Sequence, residues 1–184
     1  MIRSIDVSAV LRQAVRATYA DLVTRATGRA VREHIEQAYV TEILPADVTR
    51  MDFTGVRCID YSCADEIVAK LVIASLVNES SLDAFFMIRG LNDHQMDDVE
   101  AVLRRQQIVL VAEVGGAVRL IGEVAEEARL TFEYLAVRGM AAAEELAVEL
   151  ARPLDAVRAT LEELYLRRVL LCDRGCYRPP TAAA

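Results

Sequence analysis

The sequence predicts an α/β fold: a partly parallel sheet flanked by helices, followed by a small helical unit that ends in a β-hairpin. Three observations carry this expectation. Between about residues 48 and 122, short apolar segments alternate with helical ones, the order expected of helices packed on a mixed sheet. Gly115-Gly116 separates two apolar segments, IVLVAEV and AVRLIGEV, and supplies the positive φ angles of a tight hairpin. After Gly122 the pattern changes to three successive helical segments and a second, shorter hairpin.

From Ser8 to Tyr39 the chain is rich in Ala, Val, Leu and Arg at helical spacing, and Thr27-Gly28 reads as an interruption. DLVTR, just before it, reads as a short strand. GRAVREHIEQAY then resumes a helix, with Val31, Ile35 and Ala38 on one face. Pro45 closes the connection to VTRMDF, where apolar and polar residues alternate as in a strand. A helix is expected from Ser62 to about Leu76, with Ile67, Leu71 and Ala74 inward. AFFMIR reads as a buried strand, and Asn92 or Asp93 is placed to cap the helix through MDDVEAVLRR. Beyond Gly122, EEARLTFEYLAV, AAAEELAVEL and LDAVRATLEELYL are helical, and VLLC, DRG and CYRP form strand, turn and strand. A boundary near Glu123 divides the chain into residues 1–123 and 124–184. The first part is expected to close its own core, although no flexible Gly/Ser linker keeps the two from packing together. Residues before Asp21 either complete the sheet or make a dimer contact.

At 184 residues the chain suits one large domain or two small ones. The hydrophobic share is 54%, yet no uninterrupted apolar run approaches the roughly 18–20 residues of a membrane span. MIRSIDVSAVLRQAV lacks the apolar block of a signal peptide, so a cytoplasmic protein with no membrane partner is expected. Net charge is −7, with 13 basic against 18 acidic residues up to Glu123 and 8 against 10 after it. Neither part attracts polyanions in general, and nucleic-acid binding would need a local basic patch. Arginine supplies nearly all the positive charge, and Lys70 is the only lysine. Cys58, Cys63, Cys172 and Cys176 are expected to be free thiols. Their C-x4-C and C-x3-C spacings fit zinc signatures poorly, and only His34 and His94 could add imidazoles. No metal or cofactor is expected. Neither G-x-x-x-x-G-K-[ST] nor G-x-S-x-G occurs, and no enzymatic reaction is expected.

The stretch MDFTGVRCIDYSCADEIVAKLV holds the candidate site. Ser62-Cys63-Ala64-Asp65 has capping-box spacing, in which the serine oxygen accepts from the N3 amide while Asp65 reaches back. Glu66 suits the positive end of the helix dipole. The same stretch resembles the core motif of STAS domains (sulphate transporter and anti-sigma-factor antagonist). There, a strand ending in D-F or D-L leads through a G-V-x-x-I-D-S-S-G-like loop into a helix. It is closer still to the bacterial STAS-like branch whose helix opens S-F-A-D-E. Cys63 stands where that branch has an aromatic and the anti-sigma antagonists have glycine. The resemblance spans about Asp21 to Gly122, with its strongest residues in Asp52–Glu66. It implies a STAS-like α/β sandwich and a docking surface for a signalling partner such as a Bergerat-fold kinase, with no catalysis by this chain. Aligning Asp60 with the motif aspartate places Ser62 on the serine phosphorylated in partner-switching antagonists. Asp60, Asp65 and Glu66 complete the candidate phosphorylation and docking site. Two readings stay open: Ser62 is a helix cap alone, or it is a switch whose phosphoryl charge, repelled by these acids, expels a partner.

In the C-terminal part, three helices and a hairpin within about sixty residues match the winged helix-turn-helix pattern. Leu146, Ala147, Leu150, Val157, Leu161 and Leu164 supply its small core, and Arg152-Pro153 makes the turn, with proline near N1 of the next helix. EELAVELARPLDAVRATLEELYLRRVLL resembles the winged helix of bacterial regulators, and CDRGCYRP resembles their wing. That resemblance covers about Ala125 to Pro180 and implies an output domain that binds DNA. The recognition helix would present Asp155, Ala156, Arg158, Ala159 and Glu162. Arg152, Arg167, Arg168, Arg174 and Arg178 would flank it, and with Arg158 they form the candidate DNA contact. Alternatively these arginines cap carbonyls and pair with Glu144, Glu149 and Glu163, and the unit docks protein. A non-enzymatic bacterial regulator, a candidate homodimer, is the expectation under either alternative.

Overall fold

A computed structural model describes residues 2–16, 20–41, 48–77 and 84–181. The connection expected at Pro45 lies outside the described residues. Five segments form one sheet: β1 (Ile2–Asp6), β3 (Val48–Asp52), β5 (Phe85–Arg89), β6 (Val109–Val114) and β7 (Ala117–Gly122), in that spatial order. The first four run parallel, and β7 returns antiparallel to β6. The fold is therefore mixed α/β, as the alternating pattern requires. Gly115 and Gly116 both have positive φ, 60° and 83°, the pair of angles a two-residue turn needs to match the strand twist. A second, two-stranded ladder pairs β2 (Asp21–Leu22) with β4 (Cys58–Ile59).

The helices of the first part are α1 (Val7–Val15), α2 (Arg25–Thr41), α3 (Tyr61–Ala64), α4 (Lys70–Leu76) and α5 (Asp93–Arg105). A π-helical turn, Asp65–Ala69, joins α3 to α4 without a break. Of the two roles expected for the residues before Asp21, completing the sheet is the one seen: they supply β1, an edge strand, and then α1. One expectation changes here. Gly28 does not interrupt a helix but lies inside α2. As expected, Asn92 caps α5, in a reciprocal box with Gln95.

Because β5 and β6 are covered on both faces, they read as nearly unbroken apolar runs, and the side chains of the sheet divide between its faces by period two. Met51, Phe86, Ile88, Leu110, Ala112 and Ile121 enter one core, with Leu11, Val31, Ile67 and Val99 from the covering helices. Val48, Phe85, Met87, Val109, Val111 and Leu120 enter the other. That second core is closed by residues beyond Glu123: α6 (Glu126–Arg138), β8 (Ala141–Ala142), α7 (Ala143–Glu149), α8 (Leu154–Leu166), β9 (Leu171–Asp173) and β10 (Cys176–Arg178). Phe132 and Leu135 of α6, Leu146 of α7, Leu161 and Leu164 of α8 and Leu170 are fully buried in it from that side. The first part thus does not close its core alone, because one face of its own sheet is apolar. Each such side chain is worth about 1.5–3 kcal/mol buried, so the two parts hold each other. The small sheet has the order β8-β10-β9, all antiparallel. Among the described residues no helix is long and apolar enough to cross a membrane.

Candidate docking site

The loop after β3 is fixed by its own acid. Asp52 Oδ1 accepts from the Thr54 amide at 3.0 Å and hydroxyl at 2.6 Å, while Oδ2 takes Arg89 Nε at 2.9 Å. Gln95 Nε2 donates to the Val56 carbonyl at 3.0 Å, and the Asp60 amide donates to the Leu22 carbonyl at 2.8 Å. These bonds aim the chain into α3.

Asp60, not Ser62, caps that helix. Its backbone is extended (φ −91°, ψ 168°), and its Oδ1 accepts from the Cys63 amide at 2.8 Å. Ser62 is the second helical residue, half-buried, and its hydroxyl donates to the same Oδ1 at 2.9 Å. The capping box expected of Ser62 and Asp65 does not form, because Asp65 is drawn elsewhere. Its Oδ2 receives Arg25 Nη1 at 2.9 Å and its Oδ1 receives Gln106 Nε2 at 2.9 Å.

At the π turn two consecutive acids reach one cation. In a regular helix adjacent side chains diverge by about 100°. Here Arg25 Nη1 lies 2.9 Å from both Asp65 Oδ2 and Glu66 Oε1. Lys70 Nζ, one turn on, binds the same Glu66 oxygen at 2.5 Å. Among the described residues Glu66 Oε2 has no hydrogen bond but lies 3.5 Å from Arg32 Nε, which in turn has none. Burial alone would push the Glu66 and Asp65 carboxyls up. Bonds from Lys70 and Arg25 to Glu66, and from Arg25 and Gln106 to Asp65, outweigh it and hold both below the usual range. Glu66 is fully buried, so it belongs to the ionic underpinning of the site rather than to an accessible docking surface.

Helix α2 approaches this turn closely at Gly28. A Cβ there would stand 3.0 Å from Cys63 Cα and 3.0 Å from Glu66 Cβ. Cys63 fills the contact: its Sγ donates to the Thr24 carbonyl at 2.9 Å, and burial, helped by the Asp60 charge, pushes the thiol up to about 12. Cys63 is thus an inert, packed thiol.

The candidate DNA arginines separate into two groups. Arg152 is mostly buried, paired with Glu127 and bonded to Thr131 Oγ1 at 2.9 Å, so it ties α6 to α8 and is not a phosphate contact. Arg158 pairs with Glu144. Arg167 binds Glu163 at 3.2 Å and donates to the carbonyls of Gln107 and Glu123. Arg168 stacks over the Phe85 ring, 5.5 Å from its centroid. Arg174 and Arg178 make no ion pair among the described residues; Arg174, in the β9–β10 turn, is exposed. Asp155, Ala156, Arg158, Ala159 and Glu162 all face solvent on α8, as does Glu163.

Among the described residues the cysteines are free and no cluster of His, Cys, Asp or Glu is set to hold a metal. Sequence reasoning missed Arg25, Lys70, Arg105 and Gln106. Only the i,i+4 spacing of Glu66 and the sole lysine signalled one of these contacts. No protein-family model, curated protein or solved structure matches the chain.

Proposed function

We propose that the chain is a non-catalytic bacterial regulatory protein, in which a STAS-like α/β part docks a signalling partner at the start of α3. A Bergerat-fold kinase is the partner type the resemblance implies, and a cytoplasmic setting goes with it. In this reading the C-terminal part is a winged helix-turn-helix that docks protein. Its order of helix, strand, two helices and two strands, with the sheet order β8-β10-β9, supports the winged reading. Helix α8 would be the recognition helix and Arg174-Gly175 the tip of the wing.

The observation that carries protein docking is the outer face of α8. It presents Asp155, Glu162 and Glu163 against Arg158, whose charge Glu144 already neutralises. Phosphates would be repelled there, and a fold alone does not make a DNA reader. The second reading, DNA binding through the wing, rests on Arg174 and Arg178, which have no carboxylate partner among the described residues. A mobility-shift assay on genomic duplex fragments at roughly 50 mM salt, where nonspecific attraction is strongest, separates the two. Protein docking expects no retardation. Retardation that Arg174→Ala and Arg178→Ala weaken on every sequence would establish the DNA reading instead.

A further inference from the structure

We propose that the outer side of the Asp65–Glu66 turn receives an acidic segment of a protein partner, on Arg25, Lys70 and Arg105. This rests on the docking role proposed above and names the chemistry of the partner. It starts from a layering of charge. The Glu66 side chain is 0% exposed and that of Asp65 12%, whereas Arg25 is 49% and Lys70 42% exposed. The carboxylates lie beneath and the cations face solvent. A partner therefore meets donors, though the cluster as a whole is nearly balanced.

Those donors are only partly used. Arg25 bonds to both acids through Nη1, leaving its Nε and Nη2 without a hydrogen bond among the described residues. Lys70 bonds to Glu66 alone among the described residues. Arg105, the last residue of α5 and exposed, makes a single long bond among the described residues, 3.3 Å, to the Tyr61 hydroxyl. Its neighbour Gln106 reaches Asp65, so α2, the π turn and α5 converge on one carboxylate. Ser62 precedes Asp65 by three residues and Glu66 by four, which sets it on the border of the same helix stripe.

Cations pinned by buried acids are already ordered, so they lose little freedom when a carboxylate arrives. The remaining edge of the Arg25 guanidinium suits a carboxylate fork. A net charge of −7 keeps long polyanions such as nucleic acid away, and favours a short acidic stretch that touches only this face.

The test uses the full chain and a fluorescein-labelled hexaglutamate peptide, followed by anisotropy at roughly 50 mM salt and again at roughly 300 mM. Saturable binding that weakens with salt is expected, reduced about threefold by Arg105→Gln and by Lys70→Gln and unchanged by Arg174→Gln. Arg105→Gln decides if Lys70→Gln melts early, because Arg105 has no buried partner. Absence of saturable binding, equal affinity of wild type and Arg105→Gln, or loss in Arg174→Gln alone overturns the proposal. Failure here leaves docking at α3 standing, since that is read from Ser62 variants against a partner protein rather than from this peptide.

Discussion

The Ser62 hydroxyl donates to Asp60 Oδ1 at 2.9 Å, on the same oxygen that takes the Cys63 amide. The helix start therefore depends on the aspartate, and the serine is a tenant of its cap. Asp60→Ala should lose about 1–2 kcal/mol, while Ser62→Ala should lose only about 0.5 kcal/mol, both from denaturant unfolding. Because Ser62 leaves the fold nearly unchanged, its chemistry is open to regulation. If it is a switch, Ser62→Asp should fold normally yet lose partner affinity by about tenfold relative to Ser62→Asn. Equal affinities by calorimetry would leave Ser62 with no signalling role.

Gly28→Ala sets two effects against each other. Alanine in a helix interior gains about 1 kcal/mol over glycine. The new methyl group would press on Cys63 Cα, a backbone atom held by the Asp60 cap, and on Glu66 Cβ, held by the ionic cluster. Overpacking of that kind costs about 1–3 kcal/mol, so a net loss of about 1 kcal/mol is expected in thermal melts. A rise in Tm would show that α2 can retreat.

Acid should loosen the π turn. Asp65 and Glu66 have folded pKa values below their ordinary 3.8 and 4.5. A depressed carboxylate contributes stability that is complete above the ordinary value and is lost as pH falls through the folded one. Tm should hold steady down to about pH 5, then fall, and Glu66→Gln should flatten part of that fall. At neutral pH Glu66→Ala should cost about 3 kcal/mol, the low end for a buried pair, since Arg25 and Lys70 can turn to water.

A chain ending at Glu123 should not melt cooperatively. It would expose Val48, Phe85, Met87, Val109, Val111 and Leu120 on one face of the sheet. Dye binding to exposed apolar surface, with far-ultraviolet dichroism retained, is the expected outcome. A sharp thermal transition would mean that the sheet face repacks by itself.

What the sequence revealed follows from the range of each interaction. The Gly115-Gly116 turn and the Asn92 cap were legible because both are set by neighbours within four residues. Gly28 misled, since its reason for being glycine is Cys63, far along the chain. So did Ser62: two capping candidates stand two residues apart, and the contacts of Asp65 with Arg25 and Gln106 removed the box that favoured the serine. The π turn leaves no mark in an apolar pattern that is buried throughout Ile67, Val68 and Ala69. Strands covered on both faces are visible in AFFMI and IVLVA, but which later segment covers the second face is not written in either. Arg152 shows the same limit, its charge being equally suited to a phosphate or to Glu127.

The pairing of Ile2 with Val48 and of Asp6 with Asp52 gives the sheet a history as well as a shape. Of the five strands of this sheet β1 is made first, has no sheet neighbour until Val48–Asp52 has been made, and then must meet it across a long loop of chain. β6 and β7, joined by two glycines, can zip within microseconds of emerging. Assembly of the sheet should thus begin at its last-made edge and end at its first-made one. Until β1 arrives, β3 keeps an open edge, which is the moment at which two nascent chains are most at risk of pairing with each other.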